Sequence, residues 1–578
     1  MGWVPGIYDP STYAFALPPK GSAFRTSGAI SDPPLLFISQ SSFNLSAIQG
    51  FLRQTTFGTS LENKTLIIGA LLAVITYFII SYVKSPWRKL PPGPRRSPII
   101  GNTFQLLDKK WLLSKDCKGR FGEVMYLDVA GTPVIMFNSF KSAFDVLERS
   151  ANNYSDRPQL IMPQKLLNKG LLMVFMNYDA HCRRLRRASQ AALTKTVVRK
   201  YYSILTREAT MLASGLLENG SHHDWPKEFQ RTTASVIMSI LYDYPPLTSA
   251  HDKAIEGIET YNDRMTRASA PGRYFVELFP WMMLIPKRFA KWKREGLKHG
   301  DEHQELFQGL LNRVKVDLVC PGGTRPSFCA SLLQGNDRDN LTEPEMAFLA
   351  GLMYSAGAET TATTLIWWTL AMVAFPEVQR RAQAELDDVV GRSRLPTFDD
   401  APHLPYVRAI VKEILRWRPV APLGIAHAAK EDGWYEGIFI PKGAICMANV
   451  WHGNHDRAVF GDDADEFRPE RYIDEKGELI TGPTEGNQDN HSTYGFGRRA
   501  CPGKHLANDA LFIDTARTLW AMNLERTRDE NGNEMPLDTD SFVDTGVVIR
   551  PLPFDLQLTP RFPEVTSILA EERIQYGV

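Results

Sequence analysis

Tyr494-Gly495-Phe496-Gly497-Arg498-Arg499-Ala500-Cys501-Pro502-Gly503 is the stretch on which the reading of this chain turns. It presents a single cysteine in a glycine-rich turn. Glycine tolerates backbone angles that a side chain forbids, so Gly495, Gly497 and Gly503 are expected to close the turn tightly and aim amides at the Cys501 sulfur. A helix is expected to follow, because Leu506, Ala510, Leu511 and Ile513 recur at helical spacing between Lys504 and Trp520. The sulfur then lies near a helix N-terminus, which favours a thiolate. Arg499 adds a fixed cation within reach of an anionic group on whatever the sulfur binds. The plain alternative is a buried structural cysteine in a glycine-rich turn.

Gly497, Arg499, Cys501 and Gly503, behind an aromatic residue, resemble the haem-binding signature of the cytochromes P-450. The resemblance implies haem b as cofactor, with Cys501 as axial thiolate of its iron and Arg499 among the residues that bind it. Thiolate ligation pushes electron density onto iron and favours O–O cleavage. The family's usual leading phenylalanine is Tyr494 here, which keeps an aromatic wall but adds a hydroxyl that needs a partner.

Composition agrees with one large catalytic domain. The chain has 578 residues, 43% of them hydrophobic, and a formal net charge of +1, which speaks against nucleic acid or a polyacidic partner. Its six cysteines, at 117, 182, 320, 329, 446 and 501, show no CxxC spacing. That pattern reads as a reduced compartment without a Cys-rich zinc site.

Residues 1–64 are rich in Ser, Pro, Gly and Thr and read as a disordered tail. Residues 65–83 are uncharged and mostly apolar, the signature of a transmembrane helix. Lys84, Arg88, Lys89, Arg95 and Arg96 follow it, against only Arg53 and Lys64 shortly before, so the C-terminal side is expected to be cytosolic. The tail is then luminal, and Asn44 in Asn44-Leu45-Ser46 is a glycosylation candidate. A basic, proline-rich hinge over 84–98, containing Leu90-Pro91-Pro92-Gly93-Pro94, leads into a catalytic domain over 99–578. Family members anchored in the endoplasmic reticulum look alike here. Val124–Val129 and Pro133–Phe137 around Gly131-Thr132 predict a β-hairpin.

Further motifs stand in the family's order. Thr342 with Glu345 forms a capping box for a long helix whose middle reads Ala356-Gly357-Ala358-Glu359-Thr360-Thr361. Its small residues are expected to leave room for a flat ligand. The segment resembles the family's oxygen-activation motif, which implies that the Thr360 alcohol and the Glu359 acid are catalytic, the acid helping to feed protons from water. Glu413-Ile414-Leu415-Arg416 fits the ExxR motif, and the resemblance implies that Arg471 joins Glu413 and Arg416 in a structural network beneath the haem. The same spacing at Glu228/Arg231, Glu377/Arg380 and Glu525/Arg528 reads as surface pairs. Where the family commonly has Trp and Arg on a haem propionate, this chain has Cys182 and Arg186, so His181 or Arg183 is expected to compensate or the haem is held less tightly. His427 stands where a propionate-binding Arg or His is usual.

The resemblance implies a mainly α-helical haem-thiolate fold with small β-sheets, preceded by one transmembrane helix. It implies a membrane-bound monooxygenase resembling fungal enzymes of secondary metabolism or xenobiotic oxidation. No flavin or nicotinamide module follows the haem loop, so electrons are expected from a separate NADPH-cytochrome P-450 reductase, with a b-type cytochrome as a further donor. Leu352, Tyr354 and Ser355, Val420–Ile425, and Val547 with Val548 are expected to line the pocket. Their lack of charge points to a neutral hydrophobic substrate such as a terpenoid, steroid, polyketide or polycyclic aromatic. The competing readings are a haem-thiolate isomerase or dehydratase, and a non-catalytic haem sensor.

Overall fold

A computed structural model describes residues 61–578 apart from 220–223, 250–251, 271, 321–325, 336–339, 481–490 and 578. The chain divides after Lys84 into two units. In the first, helix α1 (Leu61–Lys84) starts before the expected Thr65. At 1.5 Å per residue it is about 36 Å long, enough to cross a hydrocarbon core of about 30 Å. Its side chains from Leu66 to Lys84 are all exposed, so its apolar surface is not covered by the described residues. Asn44 and the tail before residue 61 lie outside the described residues.

The second unit, Ser85–Val578, is mainly helical. Its longer helices are α2 (Ala180–Ala192), α3 (Tyr202–Asn219), α4 (Trp225–Tyr242), α5 (Lys253–Ser269), α6 (Lys291–Asp317), α7 (Glu343–Ala374), α8 (Pro376–Val389), α9 (Pro405–Trp417), α10 (Lys504–Ala521) and α11 (Val565–Tyr576). α7 is the axis. It is apolar on nearly every face, and such a helix has to be buried on nearly every side. Trp367, Trp368, Leu370 and Met372 are accordingly buried against its neighbours. The capping box forms as expected, with the Thr342 amide and hydroxyl both donating to Glu345 Oε2, at 2.7 and 2.9 Å.

The strands form small sheets at one side. β1 (Val124–Val129) and β2 (Thr132–Phe137) make the expected hairpin, turning at Ala130 and Gly131, both at positive φ. β3 (His427–Ala428), β4 (Gly433–Tyr435), β5 (Ile438–Ile440) and β6 (Ile445–Ala448) come next along the chain. They are followed by β7 (Met522–Arg526), β8 (Phe542–Asp544), β9 (Ile549–Pro551) and β10 (Leu556–Pro560). The largest sheet runs β1-β2-β6-β3, with β2 and β6 parallel and the other pairs antiparallel. β8 and β9 form a hairpin whose turn contains Gly546-Val547-Val548.

One expectation is overturned here. Glu228/Arg231 is not a surface pair: Arg231 is buried, donates to Glu228 at 2.9 Å and lies 3.3 Å from Glu208 on α3. Both helices turn these charges inward, where each needs the other to offset the cost of burial. Glu525 and Arg528 stay near the surface as read.

Candidate active site

The cysteine loop closes through its backbone, with the Cys501 amide donating to the Tyr494 carbonyl at 2.7 Å. Gly495 and Gly497 have φ of 74° and 54°, and a Cβ on Gly497 would stand 2.6 Å from the Leu147 carbonyl oxygen. Gly503 departs from expectation. Its φ of −87° is open to any residue, and it serves as the residue before α10. The Tyr494 hydroxyl finds its partner on α10, donating to Asn508 Oδ1 at 2.6 Å. Cys501 is exposed, whereas Cys117, Cys182, Cys329 and Cys446 are buried, and none of the six forms a disulfide. The buried structural cysteine of the plain alternative is therefore not what the loop presents.

α2 ties this loop to the central helix. Asp179 caps it by accepting from the Cys182 amide at 2.9 Å. From one face Arg186 donates to the Ala500 carbonyl, next to Cys501. From another, His181 Nε2 and Arg184 Nη2 lie 2.6 and 3.3 Å from Glu345, the capping carboxylate of α7. Burial raises that carboxyl, but its bonds to Thr342 and its neighbours His181 and Arg184 hold it below its ordinary value. His181 and Arg183 therefore do not compensate for Cys182, because His181 is engaged with Glu345 and Arg183 folds back onto Tyr178. Cys182 instead lies 3.2 Å from Arg499 Nη1.

Arg157, Arg186 and Arg499 converge here, and sequence reasoning missed Arg157. Arg499 donates to the carbonyls of Ser155, Met173 and Met176. Arg157 donates to those of Val174, Ile425 and Ala426. Among the described residues none of the three has a carboxylate partner. Burial, reinforced by the charge of Arg499, pulls the Arg157 guanidinium down to about 9. A largely buried cluster of cations whose hydrogen bonds go only to carbonyls and one thiol among the described residues is completed by an anionic ligand, as the two carboxylates of haem would do. His427 is a weaker candidate for that role. Its Nδ1 is 2.6 Å from the Tyr154 carbonyl, and burial together with Arg157 pushes its pKa down to about 3. A neutral ring that donates through Nδ1 offers only an acceptor at Nε2.

Beneath the loop, Glu413, Arg416 and Arg471 meet as expected. Arg416 donates to both Glu413 oxygens, at 2.7 and 2.8 Å, and to the carbonyls of Asn454, Ala464 and Glu466. Arg471 Nε donates to Glu413 Oε1 at 3.0 Å. Asn454 carries the network onward: it accepts from the Ser492 amide at 2.8 Å, while Thr493 donates to the Leu415 carbonyl at 2.6 Å. Those two residues lead directly into Tyr494.

On α7 the expected acid and alcohol are adjacent. Ala356 is exposed although it sits mid-helix, and Thr360 Oγ1 donates to its carbonyl at 2.6 Å. Burial raises the Glu359 carboxyl, and Arg550 on β9, 3.3 Å away, opposes that rise. Gly357 does not face a ligand, since a Cβ there would meet Ile237 of α4 at 2.8 Å. Tyr354 is likewise no pocket residue: it is fully buried in the main core. The Val420 and Val548 segments do meet, with Ile549 donating to the Val420 carbonyl at 2.9 Å, and Trp367 Nε1 of α7 donates to the Ile549 carbonyl at 3.1 Å.

A helical body with small sheets and a thiol presented beside buried cations is the arrangement of a haem-thiolate enzyme. The family profile of cytochrome P450 matches residues 91–558, and the chain belongs to the cytochrome P450 family. It is 49% identical over 506 residues to a cytochrome P450 monooxygenase of Armillaria gallica, covering 88% of this chain and 96% of that one. It is 43% identical over 527 residues to cytochrome P450 monooxygenase 58 of Postia placenta, covering 91% and 98%. A cytochrome P450 monooxygenase of Amanita muscaria is 36% identical over 531 residues, covering 84% and 93%.

Proposed function

We propose that this chain is a membrane-anchored monooxygenase that oxidises small hydrophobic molecules with electrons from a separate NADPH-dependent reductase. The observation that carries the reading is the group of buried Arg157 and Arg499 with half-buried Arg186, without a carboxylate among the described residues, beside the exposed Cys501. In this assignment Cys501 is the iron ligand and the three arginines hold the haem carboxylates. Haem bound there supplies the activation of dioxygen. Thr360 offers a hydroxyl on the open face of α7, and Glu359 takes protons from water and passes them on toward that hydroxyl. Glu413, Arg416 and Arg471, through Asn454 and Thr493, keep the loop at a fixed height.

The anchor is α1, single-pass in the endoplasmic reticulum membrane, with the catalytic domain cytosolic. A second lipid contact is supported by the exposure of Phe279, Trp281 and Leu284, at 43, 64 and 82%. Leu106 and Leu278 pack on one small core, and Ile99 and Phe104 are exposed as well. Deletion of residues 1–84 is therefore expected to leave partial membrane binding in a flotation assay. The preference for neutral substrates is supported by the apolar lining around Val420 and Val548 and by Arg550, the cation at its edge, being matched by Glu359. Reconstitution with reductase and NADPH against terpenoids, steroids and polycyclic aromatics should give oxygenated product. Turnover confined to small polar acids and amines would contradict the substrate class.

A further inference from the structure

Arg550 enters the reading above only as a charge matched by Glu359, yet its placement is specific. β9 is pinned on both sides: the Ile549 amide is held by Val420 and its carbonyl by Trp367 of α7. The preceding turn is fixed by Lys109, which bonds Asp544 and the Gly546 carbonyl, and by Gly546 itself, whose φ of 102° and close approach to Thr266 exclude a side chain. From this rigid strand Arg550 reaches one charged partner, Glu359, at 3.3 Å, while its Nε is buried with no hydrogen-bond partner. An arginine held on an anchored strand, with one donor unspent, is aimed at that carboxylate.

We infer that Arg550 is a positioning residue that keeps Glu359 ionised and turned toward β9 between proton transfers, so that proton supply beside Thr360 depends on this ion pair. The inference rests on Glu359 serving as the proton relay of the proposed monooxygenase. A relay alternates between carboxylate and acid, and the carboxylate is the form that takes up a proton from solvent. Burial alone favours the acid form, and Arg550 is the only charged group acting on Glu359 among the described residues. Without it the carboxyl stays protonated to higher pH.

The test uses the full-length holoprotein and the variants Arg550→Gln, Arg550→Lys and Glu359→Gln. Infrared difference titration reads the protonated-carboxyl band that Glu359→Gln removes. That band should titrate at higher pH in Arg550→Gln and move back in Arg550→Lys. Product formed per NADPH at neutral pH should fall about tenfold in Arg550→Gln, the worth of one charge-assisted hydrogen bond, with its acid limb shifted to higher pH. An unmoved band, or equal losses in Gln and Lys with an unshifted limb, would overturn the inference. The band does not depend on turnover, so a shifted band in a protein that makes no product would sink the monooxygenase reading and leave the ion pair standing.

Discussion

Two groups of arginines, one buried and one largely so, lie beside the cysteine loop, and they are satisfied in opposite ways. Arg416 and Arg471 share Glu413, and Arg416 spends all five N–H groups on protein acceptors. Among the described residues Arg157, Arg186 and Arg499 donate only to carbonyls and the Cys182 thiol. The first group is electrostatically closed, so its work is to fix geometry. The second is open, so its work is to receive an anion. Residue type alone does not separate the two; the presence of a carboxylate does.

The sharpest way to break this comparison is to open the closed group. Arg416→Met leaves Glu413 buried without its principal cation, a loss of about 3–5 kcal/mol. The variant is expected to yield little folded haem protein, read by thermal unfolding and haem content. Normal yield and stability would show that the network is dispensable.

A third cluster, on α3, α4 and α10, lies between these extremes and gives a pH test. Asp514 is buried, and burial together with the charge of Glu208 raises its pKa to about 8, against the pull of Arg231 and Arg517. An unfolded Asp releases its proton near pH 4. The native state thus holds a proton that the unfolded state has lost, and stability falls as pH rises from about 4 to 8. Asp514→Asn is expected to flatten that slope in urea unfolding and to stabilise the protein at pH 8. An unchanged slope would show that Asp514 is ionised in the fold.

Removing one cation from the open group should do the reverse of Arg416→Met. Arg186→Gln is expected to weaken haem retention about tenfold, measured by transfer to a competing apoprotein, while the unfolding midpoint of the haem-free chain hardly moves. Equal losses in both readings would place Arg186 among the structural arginines. The smallest effect is expected for Tyr494→Phe, which removes the bond to Asn508 for about 1 kcal/mol and leaves the haem spectrum unchanged.

These contrasts also mark what could be read from the chain before its fold. Glu413 with Arg416 and the loop from Tyr494 to Gly503 were legible because the spacing within each is local, whereas Arg471, 58 positions from Glu413, was placed only by the family resemblance. Arg157, Asn454 and Arg550 were not, since each acts on a residue more than 30 positions away and lies in no periodic pattern. The partner of His181 and Arg184 was not legible either, because the Glu345 that meets them lies on α7. Gly357 and Gly503 were misread for a related reason. A glycine signals that something comes close or that an unusual angle is needed, but not which neighbour arrives, and at Gly357 it is Ile237.

The central claim is that Cys501 is the thiolate ligand of haem iron, and the carbon monoxide difference spectrum of the reduced protein tests it most directly. The unaltered chain is predicted to show the thiolate-type band and Cys501→Ser to lose it, together with turnover, even where haem is retained. A thiolate-type band persisting in Cys501→Ser would contradict the assignment.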